Sequence, residues 1–296
     1  MKIISIPKKQ YERLKGLDLP REVFNTEGQI YDFKYKRERK VLKELFMANG
    51  ESFANKLFTI EMLDTYSEYL PENFYIPDYL VSVNKEIVGF TVPFVEGINL
   101  STILKDKHQN YQDQLYYLKS IGKTLDELQK IRKYTQLKTF FINDLHDSNF
   151  IVNPLTKQIY SIDLDSCRIG NNVAFPSRFL TPLALLNNVN GKYKINEKEI
   201  GPGYIIADEN TDLYCYIIII LNYLLGRNIN NFQLEEFYEY LNYLEKIGVN
   251  TELLDIFSKI VNNVPNENPY QYLESLTESQ IFRSKEHIYK LTKGNL

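Results

Sequence analysis

The chain has 296 residues, 44% of them hydrophobic and 25% charged, which suits one large globular domain or two lobes. A net charge of −3 leaves no strongly basic surface for nucleic acid, and two cysteines, Cys167 and Cys215, do not make a disulfide scaffold. The start of the chain lacks the apolar core of a signal peptide, and the longest apolar stretch, Leu213 to Leu225, is 13 residues, too short for a bilayer, so a cytoplasmic protein without membrane partners is expected.

Residues 1–20 combine a short apolar start with a basic, helix-like stretch closed by Pro20. Residues 21–24 read as a strand, 25–28 as a turn ending in Gly28, and 29–33 as a returning strand with alternating apolar positions. The charge-dense run from Lys34 to Lys40 reads as a solvated strand-turn-strand edge, followed by a strand over 41–45. Residues 53–69 predict an amphipathic helix with Phe53, Leu57, Ile60, Leu63 and Tyr66 on its apolar face, and Glu51 falls in the turn before it. Pro71 and Pro77 end that helix. A hairpin over 79–83 and 87–92 follows, turning at Asn84, Lys85 and Glu86 and leading into a linker that puts a domain boundary near Gly97. Residues 109–131 predict a long helix, with Leu115, Leu118, Ile121, Leu125 and Leu128 at helical spacing. A short strand over 138–142 then leads to Asp144.

The chemistry concentrates between Phe141 and Gly170. Phe150-Ile151-Val152 is an apolar run, Asn153-Pro154 turns the chain, and Ile159-Tyr160-Ser161-Ile162 returns it. Such a hairpin brings Asn149 and Asp163 side by side at its open end. Two hard oxygen donors in that position suit Mg²⁺, which shares its ligands with phosphates. Asp144, five residues before Asn149, is placed to orient a hydroxyl, completing the parts needed for phosphoryl transfer. Asp165 reads as a loop-capping acid, with a metal ligand as the other reading. Residues 166–210 are rich in proline and glycine. Asp212 opens the apolar helix as an N-cap beside Thr211, and helices follow over 233–247, 252–261 and 269–276 before a basic tail.

The order Asp144-Leu-His-Asp-Ser-Asn149, hairpin, Ile162-Asp163-Leu164-Asp165 resembles the catalytic loop and metal-binding segment of the protein-kinase-like superfamily, D-x-x-x-x-N followed by a second acid. Other stretches resemble that family in the same order. Val41-Leu42-Lys43 is similar to the strand V-A-I-K, and Glu61 lies 18 residues further on, the usual separation of the lysine from its C-helix glutamate; Glu44 would point off the strand's other face. Pro93-Phe-Val-Glu-Gly97 resembles the hinge, and Asp212-Leu-Tyr resembles the helix start whose acid accepts backbone N–H groups of the catalytic loop.

The resemblance implies an α+β, bilobal fold: a small antiparallel-sheet N-lobe over 1–97 and a mainly helical C-lobe over 98–296, with ATP in the cleft. It implies ATP and Mg²⁺ as cofactors. Gly28 and Ile30 would cover the nucleotide, Val92, Pro93 and Val95 would meet the adenine, and Lys43, held by Glu61, would meet the phosphates. Asn149 and Asp163 would hold the metal, Asp144 would orient the acceptor, and His146 would brace the loop or hydrogen-bond phosphate.

Departures refine this expectation. Only Gly28 stands where the family has two or three glycines, so phosphate grip through that loop is weaker. Asn143 replaces the arginine that pairs with a phosphorylated activation segment, so activity independent of phosphorylation over 166–200 is expected. The A-P-E glutamate and its arginine partner are both missing. Asp144-Leu-His146 and Ile162-Asp-Leu-Asp165 resemble the aminoglycoside- and choline-kinase branch. The implied function is an atypical protein Ser/Thr kinase. The alternatives are a small-molecule kinase and a nucleotide-binding pseudokinase acting as a regulatory module. The implied partner of the two kinases is a protein or small-molecule hydroxyl.

Overall fold

The protein is described by a computed structural model covering residues 1–17, 29–45, 50–170, 172–173, 193–195, 198–200, 209–229, 234–260 and 267–293. The strand expected over 21–24 and the turn carrying Gly28 lie outside the described residues, as does most of 171–208. The chain is α+β and forms two compact units. One comprises Met1–Ile98, Ile131–Ile142 and Ser148–Phe175, and the other comprises Asn99–Lys130, Asn143–Asp147 and Pro176–Leu296.

The first unit is built on a six-stranded sheet. Its strands are β1 (Lys2–Ile6), β2 (Lys15–Gly16), β3 (Ile30–Tyr35), β4 (Glu38–Glu44), β5 (Tyr79–Val83) and β6 (Glu86–Pro93), in the order β1-β5-β6-β4-β3-β2. All pairings are antiparallel except β1 with β5, so the sheet is mixed where an antiparallel one was expected. The apolar start of the chain becomes that parallel edge strand, and a short helix, α1 (Lys8–Tyr11), follows it. The β3–β4 and β5–β6 turns each place two residues at positive φ, Lys36–Arg37 and Asn84–Lys85, the pattern of two-residue turns that match strand twist.

Alternation divides β4 between two cores. Leu42 joins Ile4, Ile6, Phe33, Val81 and Val83 on one face. Lys43 points to the other, where Leu45, Leu80 and Phe90 pack against Ile60 of helix α2 (Gly50–Thr65). Gly89 of β6 lies opposite Glu44, where a Cβ would stand 2.2 Å from the Lys43 carbonyl; only glycine lets β6 approach β4 this closely.

The remaining parts of this unit carry the predicted hairpin. Strands β9 (Phe150–Val152) and β10 (Ile159–Ser161) pair antiparallel, Phe150 with Ser161 and Val152 with Ile159, and β7 (Ile98–Asn99) lies beside β9. Asn153 Oδ1 caps the turn by accepting from Leu155 N and Thr156 N. Strands β8 (Phe140–Phe141), β11 (Arg168–Ile169) and β12 (Asn172–Val173) form a further small sheet. The expected division into 1–97 and 98–296 differs from this grouping, because the hairpin is stitched to the segment after α2. Tyr75 N donates to Ser161 O at 2.9 Å, and Ser161 N donates to Asn73 O at 2.8 Å.

The second unit is mostly helical, with helices α3 (Leu100–Lys105), α4 (Tyr111–Tyr134, which ends in the first unit), α5 (Glu209–Leu225), α6 (Leu234–Lys246), α7 (Thr251–Lys259) and α8 (Glu278–Lys293). A two-stranded ribbon, β13 (Tyr193–Ile195) with β14 (Lys198–Ile200), completes the described strands. Helix α5 is apolar nearly all round and buried through Leu225, as a central helix must be. Its two buried tyrosines bond to α4: Tyr216 Oη donates to Leu118 O at 2.8 Å and Tyr223 Oη to Gln114 Oε1 at 2.9 Å. Gly122 of α4 leaves room for Tyr216 and Tyr270, which a Cβ would meet at 2.8 and 2.3 Å. The basic tail is the amphipathic helix α8, fixed through Ser284, which donates to Leu224 O at 2.8 Å. No described helix is long and apolar enough to cross a membrane.

Candidate functional site

Lys43 and Asp163, separated by 120 positions in sequence, meet. Lys43 Nζ lies 2.6 Å from Asp163 Oδ1 and 3.0 and 3.1 Å from the two oxygens of Asp165. Lys56, from α2, donates to Asp165 Oδ2 in turn. Lys43, Lys56 and Asp165 are buried, whereas Asp163 keeps 35% of its side-chain surface. The four form a connected group of two lysine and two aspartate side chains inside the first unit, where burying a charge without an opposite partner is costly.

The hairpin delivers Asp163. Its last pairing continues as Ile162 N donating to Asn149 O at 2.9 Å, which sets Asn149 beside the residue preceding Asp163. Asp163 then enters a 3-10 turn (Leu164–Ser166) with φ 61° and ψ 41°, a left-handed conformation that most side chains avoid. Among the described non-glycine residues, only Asn143 (φ 66°) and Asp163 adopt positive φ outside a hairpin turn. Asn143 immediately precedes Asp144 and Asp163 is itself the second predicted acid, and such conformations concentrate where geometry serves function. Burial pushes the Asp163 carboxyl up to about 7, and the Asp165 carboxylate pushes the same way against the pull of Lys43. Burial also opposes ionisation of Asp165, but Lys43 and Lys56 together hold it well below the usual carboxylate range.

Two expectations are corrected here. Glu61 does not reach Lys43; it is exposed on α2 and makes no ion pair among the described residues. The buried face of α2 is Lys56, Thr59, Ile60 and Leu63, and a residue five positions from Lys56 is turned about 140° away from it. Asp165 is the hub of the ion group and not a loop cap: its carboxylate meets two ammoniums. Lys56 was missed at the sequence level. Its signal was a lysine four residues before Ile60 and seven before Leu63, on the side expected to be apolar.

Of the other residues expected near a nucleotide, Ile30 pairs with Lys43 in the β3–β4 register. Val92 and Pro93 end β6 opposite Val41 and Lys40. Val95 follows, half-buried, and its backbone N–H makes no hydrogen bond to a described residue. Gly97 packs so tightly on the hairpin that a Cβ would stand 2.3 Å from Val152 O. Gly28 lies outside the described residues. Glu44 faces away from Lys43, accepting from the hydroxyls of Tyr11 and Tyr31.

Asp144 and His146 belong to the second unit, with His146 Nε2 3.9 Å from Asp144 Oδ2. The loop that carries them is fixed from below. Asp212, buried in the first turn of α5, accepts from Asn143 N at 3.0 Å, immediately before Asp144. Helix α5 begins at Glu209, so Asp212 lies inside its first turn and is not its N-cap. Cys215, one turn further along, is buried, and burial with the nearby Asp212 and Asp144 carboxylates pushes its thiol up. Neither cysteine forms a disulfide, and both are buried.

Asn149 and Asp163 offer hard oxygen donors of the kind Mg²⁺ takes, with Asp163 open to solvent on one side. Among the described residues no group of three or more His, Cys, Asp or Glu side chains is disposed to hold a metal by itself. Mg²⁺ bound jointly with phosphates needs fewer protein ligands than that. No protein-family model matches the chain, and no curated protein matches it significantly.

Proposed function

We propose that the protein is an ATP- and Mg²⁺-dependent phosphotransferase of protein-kinase-like type that transfers the γ-phosphoryl group of ATP to a protein serine or threonine hydroxyl. The observation that carries this reading is the meeting of Lys43 with Asp163 at 2.6 Å across 120 positions. A phosphate-binding cation and a metal-binding carboxylate must converge for this chemistry, and no local feature of the sequence requires them to. The sheet order β5-β6-β4-β3-β2, the helix packed on the Lys43 face and the Asp212–Asn143 bond support the same reading.

In this reading Lys43 binds the α- and β-phosphates, and Val95 N–H and Pro93 C=O receive the adenine edge. Asn149 and Asp163 would hold the cation, which would supply charge neutralisation at the phosphates. Asp144 accepts the proton of the acceptor hydroxyl, with its backbone steadied through Asp212. Asn143, in place of a phosphate-binding arginine, supports activity without prior phosphorylation of 166–200.

A small-molecule hydroxyl is the second reading of the acceptor. It is favoured by Asp144-Leu-His146 and Ile162-Asp-Leu-Asp165, with His146 Nε2 standing 3.9 Å from Asp144 Oδ2. The test is mass spectrometry of the purified protein incubated with Mg-ATP and protein or small-molecule acceptors. The expected result is a phosphoryl adduct that needs Mg²⁺ and is lost in Asp163→Asn. Hydrolysis or transfer that persists at full rate in that variant refutes the reading.

A further inference from the structure

Lys43 has to be held for it to serve a phosphate. A lone buried ammonium loses its proton or turns to whichever carboxylate is nearest. The nearest here is Asp163, the very group that the proposed cation would claim. Something else must then keep Lys43 charged and aimed. Glu61 is exposed and absent from the cluster. Asp165 is 1% accessible and meets Lys43 through both oxygens, at 3.0 and 3.1 Å. It is too enclosed to share with solvent or metal, which suits a fixed tether. Lys56 closes the cluster from α2, donating to Asp165 Oδ2.

We propose that Asp165 and Lys56 take the place expected of Glu61: Asp165 is the positioning residue that holds the Lys43 ammonium for the nucleotide phosphates, and Lys56 is the helix residue that fixes Asp165. This rests on the phosphotransferase reading and changes its layout. The tether comes from the metal-binding segment itself, and the helix contributes a cation where an acid was expected. Because α2 and the 163–166 turn are clamped by the Lys56–Asp165 pair within one unit, no outward swing of the helix is needed to assemble or dismantle the tether.

The test is calorimetric titration of the full chain with adenosine and, separately, with Mg-ADP, for wild type and for Asp165→Asn, Lys56→Met, Lys56→Arg and Glu61→Gln. Adenosine has no phosphate for Lys43 to meet, so a tether acts on one ligand and not the other. The expected result is Mg-ADP affinity roughly 10–100-fold weaker in Asp165→Asn, the usual size of an orienting residue's effect, with a smaller loss in Lys56→Met. Lys56→Arg restores the affinity, Glu61→Gln matches wild type, and adenosine affinity is unchanged throughout. Equal weakening of adenosine and Mg-ADP assigns Asp165 a merely structural role and overturns the proposal, as does a Glu61→Gln loss matching that of Asp165→Asn. If Asp165→Asn does not fold, the Lys56→Met and Lys56→Arg pair decides by the same criterion. Wild-type protein that binds neither ligand refutes the phosphotransferase reading, and the tether with it.

Discussion

Two lysines on one strand meet opposite fates. Lys40 and Lys43 both lie on β4, are both buried, and are three residues apart, so the pleat sends them to opposite faces of the sheet. Lys40 finds its partners on the surrounding sheet. Its Nζ lies 2.6 Å from Asp78 and 3.0 Å from Glu38, with the Tyr79 ring at 5.3 Å, and Thr91 donates to the same Asp78 at 2.5 Å. Lys43 instead draws its acids from the turn after the hairpin, 120 and 122 positions away. Glu38 is exposed and Asp78 is partly so, whereas Asp165 is sealed. The same side chain is thus a sheet fastener at one position and the centre of a chemically equipped cluster at the other. What distinguishes them is the provenance and enclosure of the carboxylates, and not burial.

The largest contrast should appear in activity. Lys43→Met or Asp163→Asn is expected to lower phosphoryl transfer by about 10²–10³-fold, the scale of losing one preorganised stabilising group. Lys40→Met should leave the rate within a few-fold once folded protein is compared. Steady-state kinetics of the two lysine variants side by side checks this, and equal losses would dissolve the contrast.

Stability should separate the acids next. Removing Asp165 takes the sealed carboxylate from between two buried ammoniums and is expected to cost about 3–5 kcal/mol by urea unfolding. Asp78→Asn leaves Lys40 with Glu38 and some solvent and should cost about 1–3 kcal/mol.

The pH dependence should differ as well. Asp163 is raised from 3.8 to about 7, so the folded state binds its proton more tightly than the unfolded chain does. Stability therefore falls as pH rises from 3.8 to about 7, and Asp163→Asn should remove that slope. Asp165, held low, adds stability that is lost as pH falls below 3.8. At Lys40 burial alone would lower the ammonium pKa, but Asp78 and Glu38 outweigh it and raise it above 10.5. Its contribution stays constant across the acid range and is lost only above 10.5. Thermal melts from pH 4 to 8 of wild type, Asp163→Asn and Lys40→Met resolve the two behaviours. The smallest effect is expected for Glu61→Gln, within about 0.5 kcal/mol in unfolding and without change in nucleotide affinity, since the residue faces water.

Much of the candidate site could be read from local pattern. Apolar runs around Asn153-Pro154 announced the hairpin, and a hairpin of that length must set Asn149 beside Ile162 and Asp163. The alternation of Val41, Leu42 and Lys43 put Glu44 on the opposite face, where two tyrosines now hold it. The run from Lys34 to Lys40 read as a solvated edge, yet β4 is an inner strand and Lys40 is 4% accessible. Charge density alone does not reveal whether a neighbouring strand supplies an acid such as Asp78.

Amino-acid order by itself determined strands β3 to β6, the hairpin, the spacing of Asp144, Asn149 and Asp163, and the pleat that points Lys43 away from Glu44, because each follows from a period of two or from a turn a few residues long. Only the tertiary structure decided which carboxylate Lys43 holds and which residue of α2 closes the cluster. Phe53, Leu57, Ile60 and Leu63 mark the apolar side of the helix, and Glu61 and Lys56 lie about 140° apart around it, so the roll of the helix decides which of them reaches the buried face. The roll that forms is the one that brings Lys56 to the Asp165 carboxylate that also holds Lys43, an attraction between residues more than a hundred positions apart.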